Sequence, residues 1–202
     1  LYRLLEMAEQ FGHRVGLHGC IYSLARDDYA RQREFLSRAA GREVTWHRNH
    51  YLVYDPVRSP GQLARAGVRV DSSCGLNDAN CFRGGTAHPH LLWDWQQQGP
   101  SPVIEVPIVF MDQAMPGNPT PEVEWAQLYR QLELSEAVGG AVSVLFHVDY
   151  FVANPECLDR YACLLEWLNG RGANLSFDPV PEAATVRADR EGEPRGPTRA
   201  QA

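Results

Sequence analysis

Hydrophobic and polar positions along the chain alternate between two spacings, one typical of helices and one typical of strands. Helical spacing covers five stretches, which are Leu1–Phe11, Asp27–Ala40, Pro60–Ala66, Pro121–Val138 and Asn154–Gly170. Extended stretches lie between and after them, at Val15–His18, Val44–His50, Val68–Ser72, Val103–Met111, Ala141–His147 and Ala173–Phe177. Strands that alternate with helices predict an α/β fold, built on a parallel sheet or an α/β barrel.

The pattern also predicts where the domain ends. Residues 1–177 carry the alternating elements, with a long Gly- and aromatic-rich excursion over residues 73–102. Beyond Asp178, prolines stand among charged and small residues, and apolar residues are few. Such a segment buries too little apolar surface to offset the entropy of ordering. We therefore expect one domain over residues 1–177 and a disordered tail over residues 178–202.

Composition excludes several classes of function. All 19 positively charged Lys and Arg positions of the 202-residue chain are arginine, so mechanisms that need a lysine, such as Schiff-base or P-loop chemistry, are excluded. The net charge is −6 and no arginine-rich stripe is present, which argues against a nucleic-acid partner. No apolar run reaches the roughly 18–20 residues of a membrane span. Five cysteines without a C-x-x-C pair indicate free thiols and a reducing, cytoplasmic compartment.

Polar side chains stand at the ends of four predicted strands. They are His18, Arg48 with His50, Asp71 and His147. The carboxyl ends of parallel strands form one rim, where active sites of α/β proteins lie. Histidine is the commonest zinc ligand, and an arginine can orient a carboxylate through two hydrogen bonds. Because Arg48 and His50 are two apart in an extended segment, we expect their side chains to point to the same side.

Each of these residues also has a structural interpretation. A histidine at a strand end can be satisfied by neighbouring backbone groups, as His18 and His147 both allow. Asp71 precedes two serines, a combination that is common at turns. The tryptophans are mostly packing residues, although Trp93 and Trp95 in the long excursion are able to stack on a sugar.

Short motifs in a fixed order resemble those of the polysaccharide deacetylase superfamily, in one of its divergent branches. The segment Val15–Gly19 resembles its metal-histidine motif, and Arg48–Leu52 resembles its arginine motif. The segments that continue the order are Val70–Ser73, Phe82–Thr86, Ile104–Pro107 through Met111–Asp112, and the closing Leu145–His147. The resemblance covers most of residues 1–177.

The resemblance implies a fold and a reaction. The fold is a distorted (β/α) barrel, and the reaction is metal-assisted hydrolysis of an N-acetyl or O-acetyl group on a glycan. In the usual scheme two histidines and an aspartate hold zinc or a similar divalent ion, which polarises the acetyl carbonyl. A second aspartate acts as the base, and the histidine of the last motif protonates the leaving group.

The chain departs from that scheme in two ways. Tyr22 stands where the usual second metal histidine would be, and His50 occupies the place of a proline in the arginine motif. We therefore expect His50 to replace the second ligand. The aspartate-rich first motif is absent from the printed sequence, which starts at Leu1 in the helix expected after the first strand. The base and the carboxylate ligand would both lie upstream, on a first strand that the barrel lacks here.

The resemblance thus assigns roles to seven residues. His18 and His50 are the expected metal ligands, Arg48 orients the base, and His147 is the general acid. Asp71, Arg83 and Trp93 are the expected substrate contacts. The leading prediction is a metal-dependent hydrolase that removes acetyl groups from a glycan or amino sugar. The alternatives are a non-catalytic glycan-binding relative and a metal hydrolase that acts on another amide or ester.

Overall fold

A computed structural model of the chain describes residues 2–112, 114 and 120–175. The predicted tail over residues 178–202 lies outside them. The helices of the described part are α1 Tyr2–Gln10, α2 Ser23–Arg26, α3 Tyr29–Ala40, α4 Ser59–Arg65, α5 Pro121–Ala137, α6 Val148–Ala153 and α7 Cys157–Gly170. The strands are β1 Leu17–Gly19, β2 Trp46–Asn49, β3 Val70–Asp71, β4 His90–Asp94, β5 Gly99–Glu105, β6 Ile108–Met111 and β7 Ser143–Leu145.

The predicted alternation of strands and helices is confirmed. Each of the five predicted helices is present and its ends agree to within about two residues. The two short helices α2 and α6 escape prediction because four and six residues carry little periodicity. Of the predicted last strand, residues 173–175 are described and form no strand.

The strands form two sheets. The larger has the order β1-β2-β3-β5-β4, in which β1, β2, β3 and β5 are parallel and β4 is antiparallel to β5. The smaller consists of β6 and β7 in parallel. Within the described residues the two sheets are not hydrogen-bonded into a closed barrel. The α/β class is therefore right, whereas a closed barrel is not seen in this part of the chain.

The predicted strand Val103–Met111 is in fact two strands of different sheets. Pro107 lacks an N–H group and separates β5 from β6, while its carbonyl accepts the Ser143 N–H at 2.8 Å. The predicted excursion over residues 73–102 is also partly wrong, because its second half forms the β4–β5 hairpin. Alternation of outward Leu91 and Trp93 with inward Leu92 marks that strand.

Two hydrophobic clusters hold the helices to the sheets. One lies beneath the larger sheet and consists of Tyr29, Leu63, Ala66, Val68, Leu92 and Val103. The other joins β6 to α5, α6 and α7 and consists of Phe110, Trp125, Leu128, Tyr150, Cys157 and Leu164. Helix α7 thus buries Cys157 and Leu164, whereas Leu158, Tyr161 and Leu165 are exposed.

The cysteines and the lengths of the helices are two further features of the described residues. Cys20, Cys74, Cys81, Cys157 and Cys163 are all free thiols. Among the described helices, none combines the length and the apolar character needed to cross a bilayer.

Candidate active site

The register of β1 and β2 sets the first pair of site residues. His18 on β1 lies directly opposite Arg48 on β2, so the two side chains emerge on the same face of the sheet. Both strands end within two residues of this pair, at Gly19 and Asn49. The carboxyl ends of neighbouring parallel strands therefore bring His18 and Arg48 to one rim, as predicted from the sequence.

His50 reaches the same rim by a route that the sequence did not predict. Strand β2 ends at Asn49, and His50 begins a one-turn 3₁₀ helix, His50–Leu52. Tyr51 and Leu52 adopt left-handed backbone angles with φ of 55° and 48°. This conformation costs free energy in residues other than glycine, and such backbone strain is found mostly at functional sites. The expectation that His50 continues the strand is wrong, because this turn reorients it.

The turn places His50 against His18. His18 Nε2 lies 3.0 Å from His50 Nδ1, and the two rings are nearly perpendicular, at 84°. Burial lowers the pKa of His18 below its ordinary value, and the nearby His50 and Arg48 lower it further. Both effects favour an uncharged ring, the form in which an imidazole can donate a lone pair to a metal.

Arg48 is held by serines. Its Nη2 donates to Ser72 Oγ and Ser143 Oγ, each at 3.0 Å, and its Nε donates to the Ser72 carbonyl at 3.1 Å. Burial lowers the pKa of Arg48 below its ordinary value. Across the described ranges no carboxylate forms an ion pair with this guanidinium. Arg48 is therefore fixed by polar neighbours and could bind a carboxylate. That it orients the carboxylate of the base stays a prediction.

His147 forms a dyad with Asp112. The Asp112 carboxylate accepts the His147 Nδ1–H at 2.5 Å through one oxygen and the His147 backbone N–H at 2.6 Å through the other. Asp112 is fully buried, whereas the His147 side chain is 40% exposed. Burial raises the pKa of Asp112, and the bonds from His147 oppose that rise. The dyad orients His147 so that Nε2 is left for other partners.

Asp112 received no role from the sequence, although a signal was present. It ends a predicted strand in the same way as His18 and Asp71 do. The same criterion that selected those residues also selects Asp112.

Asp71 occupies a different position from the expected one. It is fully buried, and its Oδ1 accepts His47 Nδ1–H and Ser73 Oγ–H, each at 2.7 Å. A side chain shielded in this way does not line an open pocket in this structure, so Asp71 supports the strand ends instead of contacting a glycan.

The two other expected substrate residues lie farther out. Arg83 is exposed, donates to the Gly75 carbonyl at 2.7 Å and lies over the Tyr54 ring. Trp93 is 46% exposed and contacts Trp95. Trp93 pairs with Pro100, near the amino end of β5, five residues or roughly 17 Å from the rim at Glu105. The register therefore places Trp93 toward the amino end of β5, away from the rim, and its role as a substrate contact stays a prediction.

The described side chains supply two of the donor atoms that a zinc site requires. Zinc–nitrogen bonds of about 2.0–2.1 Å at a tetrahedral centre place two nitrogens about 3.3–3.4 Å apart. The His18 and His50 nitrogens, 3.0 Å apart, need to open by only a few tenths of an ångström. A third donor is not supplied by the described residues, in which no group of three or more His, Cys, Asp or Glu is placed to hold a metal.

Comparisons with known proteins leave one informative match. No family model and no curated protein matches the chain. A solved structure does match, that of a "putative polysaccharide deacetylase" from Mycobacterium smegmatis, with a TM-score of 0.54 and 18% identity. The match covers 86% of this chain and 68% of that one. The likeness is one of fold. It leaves the site residues to be argued from their own geometry.

Proposed function

We propose that the protein is a metal-dependent hydrolase that removes acetyl groups from a glycan or amino sugar. The observation that carries the proposal is the convergence of His18 Nε2 and His50 Nδ1 at 3.0 Å. Two imidazoles placed nitrogen to nitrogen at a sheet rim, with Arg48 in register beside them, supply two vertices of a metal site. The similar fold of the "putative polysaccharide deacetylase" supports the substrate class.

His18 and His50 would hold the ion, which is most simply zinc because both donors are imidazole nitrogens. When bound, the ion supplies a Lewis acid that polarises an acetyl carbonyl. Arg48 would orient the carboxylate that acts as base. Its Nη2 and Nε already bind Ser72 and Ser143, which fixes the plane of the guanidinium.

His147 would serve as the general acid. Its Nδ1 is held by Asp112, so a proton on Nε2 is the one available to a leaving amine or alkoxide. The buried Asp112 carboxylate stabilises the imidazolium form that donates this proton. When the proton has moved to the leaving group, the Nδ1–H bond to Asp112 keeps the ring in place for the next cycle.

Two exposed tyrosines are better placed than Trp93 to contact a sugar. The Tyr51 ring lies 4.5 Å from the His50 ring and is 59% exposed. Tyr22 follows His18 by four residues and is also exposed. A pyranose ring has an apolar face that an aromatic ring can cover. We therefore assign the sugar contact to Tyr51 and Tyr22, in place of Trp93.

One observation favours the non-catalytic alternative. The two described imidazoles fall short of the three protein ligands of a catalytic zinc site. A glycan-binding relative would keep the fold and the exposed tyrosines and would release no acetate.

Metal binding is the first test. Zinc affinity of the full-length protein is measured for the wild type, for the His18→Ala/His50→Ala double variant and for His13→Ala, whose histidine is exposed and lies before the amino end of β1. We expect the double variant to lose at least tenfold in affinity and His13→Ala to match the wild type. Equal affinity in all three would reject His18 and His50 as ligands.

Acetate release is the second test. With zinc, the full-length protein should release acetate from an acetylated amino-sugar oligomer, and His147→Ala should lower the rate by about 10²-fold or more. Oligomer binding without acetate release would establish the glycan-binding alternative. Hydrolysis confined to a simple amide or ester would establish the third alternative, a hydrolase of another substrate.

A further inference from the structure

Three titratable side chains line up across the larger sheet. His47 on β2 pairs in register with Asp71 on β3, and Asp71 pairs with Glu105 on β5. Register partners emerge on the same face, so the three side chains form one row at the carboxyl ends of three strands. All three are buried, with exposures of 5% for His47, 0% for Asp71 and 1% for Glu105.

Donors are fewer than acceptors in this row. Asp71 Oδ1 accepts from His47 and Ser73, and Glu105 Oε1 accepts the Cys74 backbone N–H at 2.9 Å. The other two oxygens, Asp71 Oδ2 and Glu105 Oε2, are buried without a donor. The two carboxyl groups belong to register partners on neighbouring strands, and the charge of Asp71 acts on Glu105. Two buried anionic acceptors in contact repel each other, whereas one proton between them converts the repulsion into a hydrogen bond.

We propose that Asp71 and Glu105 share one proton at neutral pH and that this proton fastens the carboxyl ends of β3 and β5 beneath the rim. The pair then acts as a positioning device: it keeps one negative charge in all, and Asp71 Oδ1 holds His47 and Ser73. Through Ser73, whose Oγ accepts the Asn49 N–H at 2.9 Å, the same network reaches the end of β2 just before His50. The proposed reaction does not use this row of buried side chains.

The charged groups around the pair agree with a single shared proton. Arg48 is the permanent cation nearby, and it partly offsets the charge on both carboxyl groups. Cys74 and Tyr54 face Glu105 from the segments after β3 and β2, and burial is the main cause that raises the pKa of each, that of Cys74 to about 11. Both are therefore neutral at pH 7. Burial, and then the charge of Asp71, raises the pKa of Glu105 well above its ordinary value.

Two further titratable groups, Tyr29 on α3 and His90 on β4, add no charge to this balance by contact. Burial, and then the charge of Asp71, raises the pKa of Tyr29 above its ordinary value, so its hydroxyl group is neutral. His90 is the register partner of Glu105, but it is exposed and its Nδ1 bonds to the His88 carbonyl at 3.1 Å. The shared proton is a property of the pair and not of either residue alone.

Infrared spectroscopy tests the proton directly, without any assumption about activity. At pH 7 the wild type should show the C=O stretch of a neutral carboxylic acid, shifted in D₂O. The band should be lost in Glu105→Gln and kept in Glu34→Gln, whose glutamate is exposed on α3. Absence of the band from the wild type, or its survival in Glu105→Gln, would overturn the proposal.

Stability against pH gives an independent readout. A glutamate whose pKa is raised in the folded state stabilises the fold fully below its ordinary pKa of about 4.3. That contribution is lost as the pH rises through the folded-state pKa. The folding constant of the wild type, divided by that of Glu105→Gln, should therefore fall by up to tenfold per pH unit above about pH 5. A ratio that stays constant from pH 5 to pH 9 would mean that no proton is retained, and the proposal would fail.

Discussion

At the scale of single residues, the Asp112–His147 dyad makes the sharpest statement about chemistry. The Asp112 carboxylate can only accept hydrogen bonds, so it fixes the proton on His147 Nδ1. In Asp112→Asn, a carboxamide oriented to accept the His147 backbone N–H would present its NH₂ group to Nδ1, because its oxygen serves that backbone group. We expect the neutral ring to change tautomer, with the proton moving to Nε2. Nitrogen NMR of the imidazole rings distinguishes the two tautomers.

His13 is the internal reference for that measurement, because it is exposed and its signals should be the same in both proteins. If His147 already carries its proton on Nε2 in the wild type, or if Asp112→Asn leaves the tautomer unchanged, then Asp112 does not orient the ring. In an active preparation, the variant should also lose about 10²-fold or more in acetate release, since a carboxamide no longer stabilises the imidazolium form of His147 that donates the Nε2 proton to the leaving group.

At the scale of elements, the sequence was informative where one local rule decides the outcome. Gly41 and Gly67 follow α3 and α4 with φ of 64° and 76°, and their positions alone predicted both helix ends. The strand ends at His18 and Arg48 followed from apolar runs in the same way. The rest depends on partners distant in sequence. The neighbouring residues do not show that the chain passes from one sheet to the other at Pro107. They also do not show that the turn at Tyr51 brings His50 toward His18.

Gly75 also makes a contact that depends on residues distant in sequence. It lies after β3, where the chain passes closely over β6 and the turn that carries His50. A methyl group on Gly75 would lie 2.5 Å from Ile108 Cγ2 and 2.9 Å from Leu52 Cδ1. Gly75→Ala should therefore lower the free energy of unfolding by about 1–3 kcal/mol, measured by urea denaturation. Gly170→Ala is the matched control.

Gly170 lies in α7 with no atom within 4 Å of an added methyl group, so alanine there should leave stability unchanged or raise it by up to about 1 kcal/mol. Equal effects of the two substitutions would mean that the close approach at Gly75 is not tight. The comparison separates a packing constraint from the general effect of replacing glycine.

At the scale of the whole molecule, Arg48 joins the two sheets. It belongs to β2 of the larger sheet, and its Nη2 reaches Ser143 on β7 of the smaller one. The Ser72–Ser143 hydroxyl pair, 2.6 Å apart, closes the same junction. The residue placed at the candidate site is thus also a structural link, and the site and the association of the sheets depend on the same side chain.

Arg48→Met should therefore destabilise the fold as well as the site. Methionine fills a similar length but removes the guanidinium bonds to Ser72 and Ser143, and we expect the free energy of unfolding to fall by about 2 kcal/mol. Urea denaturation followed by tryptophan fluorescence and by circular dichroism measures the loss, with Arg38→Met as the control, since the Arg38 side chain is 73% exposed. An Arg48→Met midpoint equal to that of Arg38→Met would show that the other contacts between the sheets suffice. Because Ser72 and Ser143 keep each other as partners, the loss should stay below that of burying an unpaired charge.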